Sequence, residues 1–597
     1  MTFHNHNHYS YIPKKINVLL TSFLLLFIQM PFSFSQKVPN YSFVHEAISA
    51  SPTSFYDYII IGGGTAGCPL AATLSANSTV LLLERGGSPY GNPNITNLSA
   101  FGQALSDISP SSPSQRFVSE DGVINARARV LGGGSCLNAG FYTRASPEYV
   151  EEMGWDGKVA NASYEWVERT VAFQPLVGQW QAAVRDGLVE AGIAPFNGFT
   201  YDHMYGTKVG GSIFDRDGNR HTAADLLQDA NSDRLTVLLR ATVYKILFRI
   251  KANSRPIARG VIFRDSTGAM HRAYLRRGSM NEIIISAGSL GSPQLLMLSG
   301  VGPAQHLKAH NITLVLDQPM VGQGMSDNPM NAVFVPSPVP VEVSLIEVVG
   351  ITQFGSYIEA ASGESFGSGG RGGGRGGNGH RPRDYGMFSP KIGQLSTLPP
   401  KQRTPEALAK AVKNMDSLAA PAFQGGFILE KIMGPVSTGH LELVTKNPND
   451  NPSVTFNYFQ EPEDLQRCVD GIRTIETIIE SRAFTRFKYN GVTAQTLINM
   501  TMRAPVNLLP KHENSSVLLE RFCRETVMTI WHYHGGCQVG RVVDRDYKVI
   551  GIDALRVIDG STFNYSPGTN PQATVMMLGR YMGLNILEER LANINGS

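Results

Sequence analysis

The chain contains 597 residues, of which 42% are hydrophobic and 17% are charged. This composition excludes an intrinsically disordered protein, and the length suffices for two or more domains with large cores. The formal net charge is only +3, so the charge balance gives no reason to expect a nucleic-acid partner.

The N-terminal segment has the pattern of a secretory signal peptide. Lys14 and Lys15 precede an apolar run at residues 16–28, which is shorter than the roughly 20 residues that a stable membrane span needs. Ser33 and Ser35 supply small side chains for a cleavage site. We predict a signal peptide at residues 1–35 and a secreted protein, with a retained signal anchor as the alternative. Sequons for N-glycosylation agree with secretion and begin at Asn94, Asn97, Asn161, Asn311, Asn499 and Asn514.

The strongest motif lies between residues 56 and 84, after a lead-in at 36–55 that we predict to be loosely structured. A buried strand at 58–61 is followed by glycines with G-x-G-x-x-G spacing, a helix to about residue 75, and a second strand ending at Glu84. The glycines allow a pyrophosphate to approach the helix N-terminus, and Glu84 can accept hydrogen bonds from ribose hydroxyls. The motif predicts a dinucleotide site without separating NAD from FAD; a glycine turn without a ligand is the alternative.

The next part of the chain contains a second glycine-rich loop. Residues 89–114 are predicted as a loop, and residues 129–144 combine three successive glycines with the amide of Asn138. Such a loop suits contact with a flat cofactor that has polar edges. Apolar runs predict strands at 235–239, 243–248, 260–263 and 282–285. After the last strand, Ser292 is predicted as the N-cap and Pro293 as the first residue of a short helix.

A Gly/Arg-rich segment at 359–386 has too few apolar residues to build a core. We predict a disordered, exposed insertion; RNA binding is disfavoured because a secreted chain does not routinely meet RNA. The apolar positions between 465 and 479 predict a core helix, and residues 439–444 and 453–458 alternate like strands.

Five cysteines in a secreted chain leave at least one unpaired. Cys68 begins a helix beside the nucleotide loop and is interpreted as a packing residue. Cys468 and Cys523 lie outside the dinucleotide motifs and are the candidate disulfide, whose closure would contribute roughly 4 kcal/mol.

The C-terminal block carries the clearest candidates for chemistry. His532 and His534 are followed by two glycines, and no third ligand follows at a useful spacing, so we predict no metal site. A general base or acid is the better interpretation, with a structural role for His534 left open. Asp559 ends a predicted strand, and Asn570 and Pro571 open a helix running to about residue 582, whose N-terminus could stabilise negative charge.

Taken in order, these motifs resemble the glucose–methanol–choline (GMC) oxidoreductase family. The resemblance rests on the first glycine loop with Glu84, residues 129–144, residues 286–302, residues 321–328 and the block from residue 530. Asn328 stands where the family usually has histidine. The resemblance covers nearly the whole mature chain and implies FAD rather than NAD. Residues 531–537 and 578–583 are most similar to the plant HOTHEAD-like branch and to the related flavin-containing (R)-hydroxynitrile lyases.

The resemblance implies that His532 is the catalytic base and that Asn570 hydrogen-bonds the alkoxide oxygen. The lyases have histidine in place of Asn570 and tyrosine in place of Ile530, so both departures argue against cyanohydrin cleavage. A disulfide of the lyases resembles the pairing of Cys468 with Cys523. The cofactor-binding residues expected on this basis are Gly62, Gly64, Thr65, Ala66, Gly67, Glu84, Arg85, Val130, Gly133, Asn138, Ala139, Val243, Trp531, Asp559, Gly560, Pro571 and Gln572.

The implied activity is oxidation of a primary alcohol by hydride transfer to flavin N5, with long-chain ω-hydroxy fatty acids as the implied substrates. A hydroxynitrile lyase with a structural FAD and a non-catalytic flavoprotein of cell-wall or adhesion processes are the alternatives. No residue predicts the oligomeric state.

The expected fold is α/β, or α+β overall, with a Rossmann-like FAD-binding domain and a discontinuous substrate-binding domain built on an antiparallel sheet with helices. The FAD-binding domain is predicted at 36–160, 205–305 and 530–597, and the substrate-binding domain at 161–204 and 306–529.

Overall fold

The computed structural model describes residues 39–107, 109–278, 280–363, 425–503 and 518–595. The predicted signal peptide, most of the Gly/Arg-rich segment and Asn514 lie outside the described residues. Within them, no helix combines the length and the apolar character that are needed to cross a bilayer.

The strands, numbered in chain order, are β1 (Val44–Glu46), β2 (Thr53–Tyr56), β3 (Tyr58–Ile61), β4 (Val80–Leu83), β5 (Ser114–Val118), β6 (Ile124–Ala128), β7 (Phe141–Tyr142), β8 (Phe196–Phe199), β9 (Gly206–Val209), β10 (Gly211–Ser212), β11 (Leu235–Leu239), β12 (Thr242–Arg249), β13 (Ile257–Arg264), β14 (Met270–Leu275), β15 (Glu282–Ile285), β16 (Val301–Gly302), β17 (Leu316–Asp317), β18 (Gln323–Met325), β19 (Pro329–Pro336), β20 (Val348–Ile351), β21 (Ser356–Ser362), β22 (Gly425–Ile432), β23 (Gly439–Glu442), β24 (Ser453–Thr455), β25 (Met528–Thr529) and β26 (Leu555–Val557). The α-helices are α1 (Gly67–Leu74), α2 (Pro93–Thr96), α3 (Gln103–Ser106), α4 (Pro147–Glu152), α5 (Gly157–Val171), α6 (Gln179–Glu190), α7 (Gly288–Leu298), α8 (Ala304–Ala309), α9 (Pro462–Glu480), α10 (Ala494–Arg503), α11 (Leu518–Thr526) and α12 (Gln572–Asn595).

A parallel six-stranded sheet with the order β1-β11-β4-β3-β15-β26 forms the Rossmann-like part of the fold. Strands β3 and β4 are apolar throughout and β15 is apolar after Glu282, as is typical of parallel strands with both faces covered. Tyr58 and Ile60 face the core that includes α1 and α12, and Ile59 and Ile61 face the core that includes β13. The predicted α/β class is confirmed.

The other large sheet has seven strands in the order β25-β19-β22-β21-β20-β9-β8 and is antiparallel except between β8 and β9. Helices α6 and α9 pack on one face, where Ile472 and Ile475 join Ile358 and Ile428 in the core. The opposite face carries polar side chains toward the site described below. The predicted core helix is therefore confirmed as α9.

The structure corrects several local predictions. The lead-in is ordered where it is described, because β1 and β2 complete the edges of two sheets. The segment predicted as a disordered insertion begins too early, because Glu359 lies in β21 and is wholly buried. The loop predicted at 89–114 contains the short helices α2 and α3.

Two helix boundaries also differ from the predictions. Helix α7 begins at Gly288, so Pro293 lies inside the helix and Ser292 does not cap it. The side chain of Ser292 instead donates to Asp559, a contact across the chain that local capping rules do not reveal. Helix α12 continues to Asn595, well beyond the predicted end.

The predicted division into alternating domain segments stays a prediction. The boundary drawn at residue 161 falls inside α5, which packs against α12. Strand β9 follows the boundary drawn at residue 205 and belongs to the seven-stranded sheet.

Candidate active site

The first glycine loop joins β3 to α1 with very close backbone packing. Gly62 has a φ of +105°, and a Cβ added there would lie 2.3 Å from the carbonyl oxygen of Ser286. A Cβ at Gly67 would lie 2.0 Å from the carbonyl oxygen of Gly62. Glycine is therefore required at both positions, as the motif predicts.

One large cavity opens at the carboxyl ends of β3, β4, β15 and β26, which is where ligands bind in open α/β sheets. The predicted site residues that line it are Gly62, Gly64, Thr65, Ala66, Glu84, Arg85, Val130, Gly133, Asn138, Ala139, Val243, Trp531, His532, Asp559, Gly560, Asn570, Pro571 and Gln572. Gly67 does not line the cavity, because its part is to let α1 pack closely on the strand.

Glu84 is buried at the end of β4 and faces the glycine loop. Its Oε2 accepts from the backbone N–H of Gly63 at 3.0 Å, and its Oε1 accepts from that of Gly86 at 2.7 Å. Burial raises the pKa of this carboxyl group. Arg85 lies beside it and donates to Gln115 and to the carbonyl of Ala128.

The second glycine loop packs directly on the first. A Cβ at Gly133, which has a φ of +60°, would lie 2.7 Å from the Cα of Gly64. The amide nitrogen of Asn138 donates to Oε1 of Gln572 at 2.8 Å, and Gln572 donates to the carbonyl of Phe141 at 2.5 Å. The loop is thereby tied to the start of α12.

Asp559 closes another side of the cavity after β26. Its Oδ2 accepts from the N–H of Gly288 at 2.9 Å and from the hydroxyl of Ser292 at 2.5 Å, and its Oδ1 accepts from the N–H of Ser561 at 2.8 Å. These bonds join α7 to the turn that carries Gly560.

His532 lies in the cavity with its Nδ1 held from the protein side. This nitrogen is 3.1 Å from Nδ2 of Asn328 and 3.3 Å from the hydroxyl of Tyr357. The Tyr357 hydroxyl donates its own proton to the carbonyl of Thr569 at 2.9 Å. Burial, and then the charge of Lys431 and the neighbouring imidazole of His534, lower the pKa of His532 well below its ordinary value. The imidazole is therefore neutral at neutral pH.

Asn570 reaches the same cavity from the segment that begins α12. The Tyr357 hydroxyl connects the two candidate catalytic residues, since it contacts Nδ1 of His532 and binds the residue before Asn570. Asn570 Oδ1 is buried and has no hydrogen-bond partner among the described residues. A group bound in the cavity would supply that partner.

Trp531 precedes His532 with a φ of +61°, a strained conformation for a residue with a side chain. Its indole Nε1 is buried and, within the described residues, also lacks a partner. The cavity thus combines close-packed glycine backbone, a buried carboxylate, an orphaned donor and a neutral imidazole. This set fits a dinucleotide cofactor with a flat ring system.

Sequence reasoning missed several lining residues. Arg127 lines the cavity and donates to Gln294, which also lines it. Ser286 and Gly288 also line the cavity, although their local pattern predicts only the approach to a short helix. Their place at the end of β15, beside β3, was the signal, because ligands bind outside strand ends at this position. No local signal marks Arg127.

The remaining C-terminal and cysteine predictions have clear places in the structure. His534 is buried, its pKa is lowered by burial to about 4, and its Nδ1 lies 2.9 Å from the carbonyl oxygen of His532. The predicted disulfide is present and joins Cys468 in α9 to Cys523 in α11. Cys68 is buried with a free thiol.

Comparison with known families gives two matches. A model of the N-terminal part of GMC oxidoreductases matches residues 56–330, and a model of their C-terminal part matches residues 435–579.

Individual relatives agree with these matches. Protein HOTHEAD of Arabidopsis thaliana is 53% identical over 91% of this chain and 90% of its own length. Sinalpyl alcohol oxidase Nec3 of Nesocodon mauritianus is 42% identical, and (R)-mandelonitrile lyase 1 of Prunus serotina is 41% identical, each over 92% of this chain and 90% of the relative.

Solved structures share the fold. Formate oxidase of Aspergillus oryzae has a TM-score of 0.67 at 19% identity and covers 90% of this chain and 99% of its own. Pyridoxine 4-oxidase has a TM-score of 0.67 at 21% identity and covers 89% and 98%. Two family models in order, relatives of high identity and a fitting cavity lead to one assignment. The chain belongs to the GMC oxidoreductase family, and its cofactor is FAD.

Proposed function

We propose that this protein is an FAD-dependent oxidoreductase that oxidises a primary alcohol, with His532 as the base. The observation that carries the proposal is a neutral imidazole that lines the same cavity as Asn570, a cavity that fits FAD. FAD, when bound, supplies the hydride acceptor. His532 takes the hydroxyl proton as the hydride leaves the same carbon.

The base needs its proton on Nδ1 so that Nε2 is free. Because the Tyr357 hydroxyl donates to Thr569, its oxygen can accept an N–H from Nδ1 of His532. Asn328 competes with this arrangement, since its amide N–H favours a lone pair on Nδ1. We infer that Tyr357 supports the productive tautomer and that it also stabilises the imidazolium formed by proton transfer.

Asn570 would hydrogen-bond the substrate oxygen as negative charge develops on it. The N-terminus of α12 begins beside it and has the polarity to favour negative charge on a reduced cofactor. Both contributions act in a site where burial strengthens electrostatic interactions.

The proposed substrate class is an alcohol with an apolar body. Leu105, Phe141, Ile346 and Ile530 give the cavity an apolar wall. One relative is named as an alcohol oxidase and another as HOTHEAD. The family resemblance suggests long-chain ω-hydroxy fatty acids. Secretion is proposed with it, because Asn94, Asn97, Asn161, Asn311 and Asn499 are all exposed.

A hydroxynitrile lyase is the second candidate, since mandelonitrile lyases are among the relatives. Ile530 and Asn570 argue against it, as the lyases have tyrosine and histidine there. A flavoprotein without catalysis in the cell wall is the third candidate.

Anaerobic stopped-flow separates the candidates. Purified holoprotein is mixed in turn with ω-hydroxy fatty acids, aryl alcohols and mandelonitrile while the flavin absorption is followed. Bleaching by an alcohol supports oxidation, whereas cyanide release without bleaching supports the lyase. Failure of all three classes to react would contradict the proposed activity and favour the non-catalytic candidate.

A further inference from the structure

Three polar side chains share the face of the seven-stranded sheet that looks toward the active site. Tyr357 and Lys431 are direct cross-strand partners on β21 and β22. Glu359 lies two residues beyond Tyr357, so it points to the same side of the sheet. All three are wholly buried. We refer to them as the Tyr–Lys–Glu cluster.

The cluster is held together by its own charges. Lys431 forms an ion pair with Glu359 in which neither side chain is exposed. The Lys431 ammonium also lies 5.5 Å from the centre of the Tyr357 ring. A buried ion pair is seldom retained for stability alone, because removing two charges from water costs several kcal/mol per ion. The residues that contact this ion pair therefore indicate what its role is.

Each end of the cluster contacts one of the two candidate catalytic residues. Tyr357 lies 3.3 Å from Nδ1 of His532. The side chain of Glu359 neighbours that of Asn570, and this neighbour favours the ionised form of the Glu359 carboxyl group. An ionised carboxylate can only accept, so the group that Asn570 turns toward it would be the amide NH₂. The second N–H of the same nitrogen is then left to donate to the substrate oxygen.

We propose that Tyr357, Glu359 and Lys431 are positioning residues that orient His532 and Asn570 together, an inference that rests on the proposed alcohol oxidation. Glu359 fixes the amide of Asn570, Tyr357 fixes the ring of His532, and Lys431 keeps Glu359 ionised. Because the two supports lie two residues apart on one strand, β21 sets the distance between the two catalytic groups.

The electrostatic consequence can be measured separately from the rate. The positive charge of Lys431 lowers the pKa of His532, and the carboxylate of Glu359 offsets that charge. The Tyr357 oxygen, as acceptor for Nδ1–H, stabilises the imidazolium. Tyr357→Phe should therefore lower the pKa of His532, and Glu359→Gln should lower it too, because the Lys431 charge is no longer offset.

The test compares Tyr357→Phe and Glu359→Gln with Glu430→Gln as the matched control. Glu430 is a buried carboxylate on β22 that faces the helix side and accepts from the hydroxyl of Ser356 at 2.8 Å. If Glu359→Gln does not fold, Glu359→Gln combined with Lys431→Gln replaces it; this variant leaves no unpaired charge behind, so the rate of flavin reduction is its readout.

Two quantities are measured on the holoproteins. The first is the anaerobic rate of flavin reduction at saturating alcohol. The second is the pH at which the oxidised flavin spectrum changes without substrate, which serves as the readout of the protonation of His532. The two cluster variants are expected to reduce flavin ~10–100-fold more slowly with little change in KM, as for misplaced catalytic groups. Their spectral transition should move to lower pH, with the Glu430→Gln variant unchanged in both quantities.

A wild-type rate and an unmoved transition in both cluster variants would overturn the inference. A wild-type protein that no alcohol reduces would refute the proposed function instead, and the spectral transition would still test the cluster.

Discussion

Replacing His532 by alanine gives the sharpest test of the active site. The imidazole is buried beside Lys431 and His534, and these surroundings hold the pKa of His532 well below 6.5. At pH 7.5 the imidazole of His532 is then neutral, so protonation does not reduce its capacity to act as a base. We therefore expect the substitution to remove the full contribution of a general base. The rate of flavin reduction should fall ~10²–10⁴-fold, which corresponds to about 3–5 kcal/mol of activation free energy.

The assay is anaerobic stopped-flow with an alcohol that bleaches the wild-type flavin. His440→Ala is the control, because this histidine is exposed on β23 and does not line the cavity. Added imidazole should restore part of the rate to the His532→Ala variant only. In the wild type, the rate should stay level as the pH falls through 6.5 and decline only below that value. An inflection at or above pH 6.5, or a loss below tenfold, would refute this account of the base.

Three further predictions concern the cofactor, the disulfide and acid stability. Gly133→Ala should abolish FAD binding without unfolding the chain, since the new Cβ would lie 2.7 Å from the Cα of Gly64; flavin absorbance per protein should fall while the circular dichroism is unchanged. Changing Cys468 and Cys523 to serine should lower the free energy of unfolding by about 4 kcal/mol, because the bridge spans 55 residues. An unchanged midpoint of urea denaturation would contradict this. Because the pKa of His534 is lowered to about 4 in the folded protein, this group binds protons more readily when the chain is unfolded. Its contribution to the free energy of unfolding is therefore present above pH 6.5 and is lost as the pH falls toward 4, by up to about 3 kcal/mol. A His534→Asn variant should lose less stability over that range than the wild type does.

Local signals explain why the nucleotide-binding part was predictable. The strand, the glycine loop and the acid at Glu84 lie within one short stretch, and each follows from backbone geometry or from an apolar run. His532 and Asn570 are candidates already from the two histidines before a glycine pair and from the Asn-Pro start of a helix, and the resemblance to GMC oxidoreductases implies their roles.

The second layer of the site could not be read from the sequence. Tyr357 and Lys431 meet only through the pairing of β21 with β22, and the residues between these strands give no local sign of that pairing. Glu359 adjoins a low-complexity stretch, so composition assigned it to a disordered segment. The ion pair that makes its burial possible is a tertiary contact, which overrides the local preference.

The junction at the end of β21 has a consequence for how this protein can vary. The N–H of Gly363 donates to the carbonyl of Gly425 at 3.2 Å, so the chain leaves and re-enters the sheet at adjacent points. The two strand ends are therefore close enough for a tight hairpin to join them, and the entropy cost of closure grows only slowly with the length of the joining chain. We expect related chains to gain or lose sequence at this point without disturbing strand register, even though the same two strands carry the Tyr–Lys–Glu cluster.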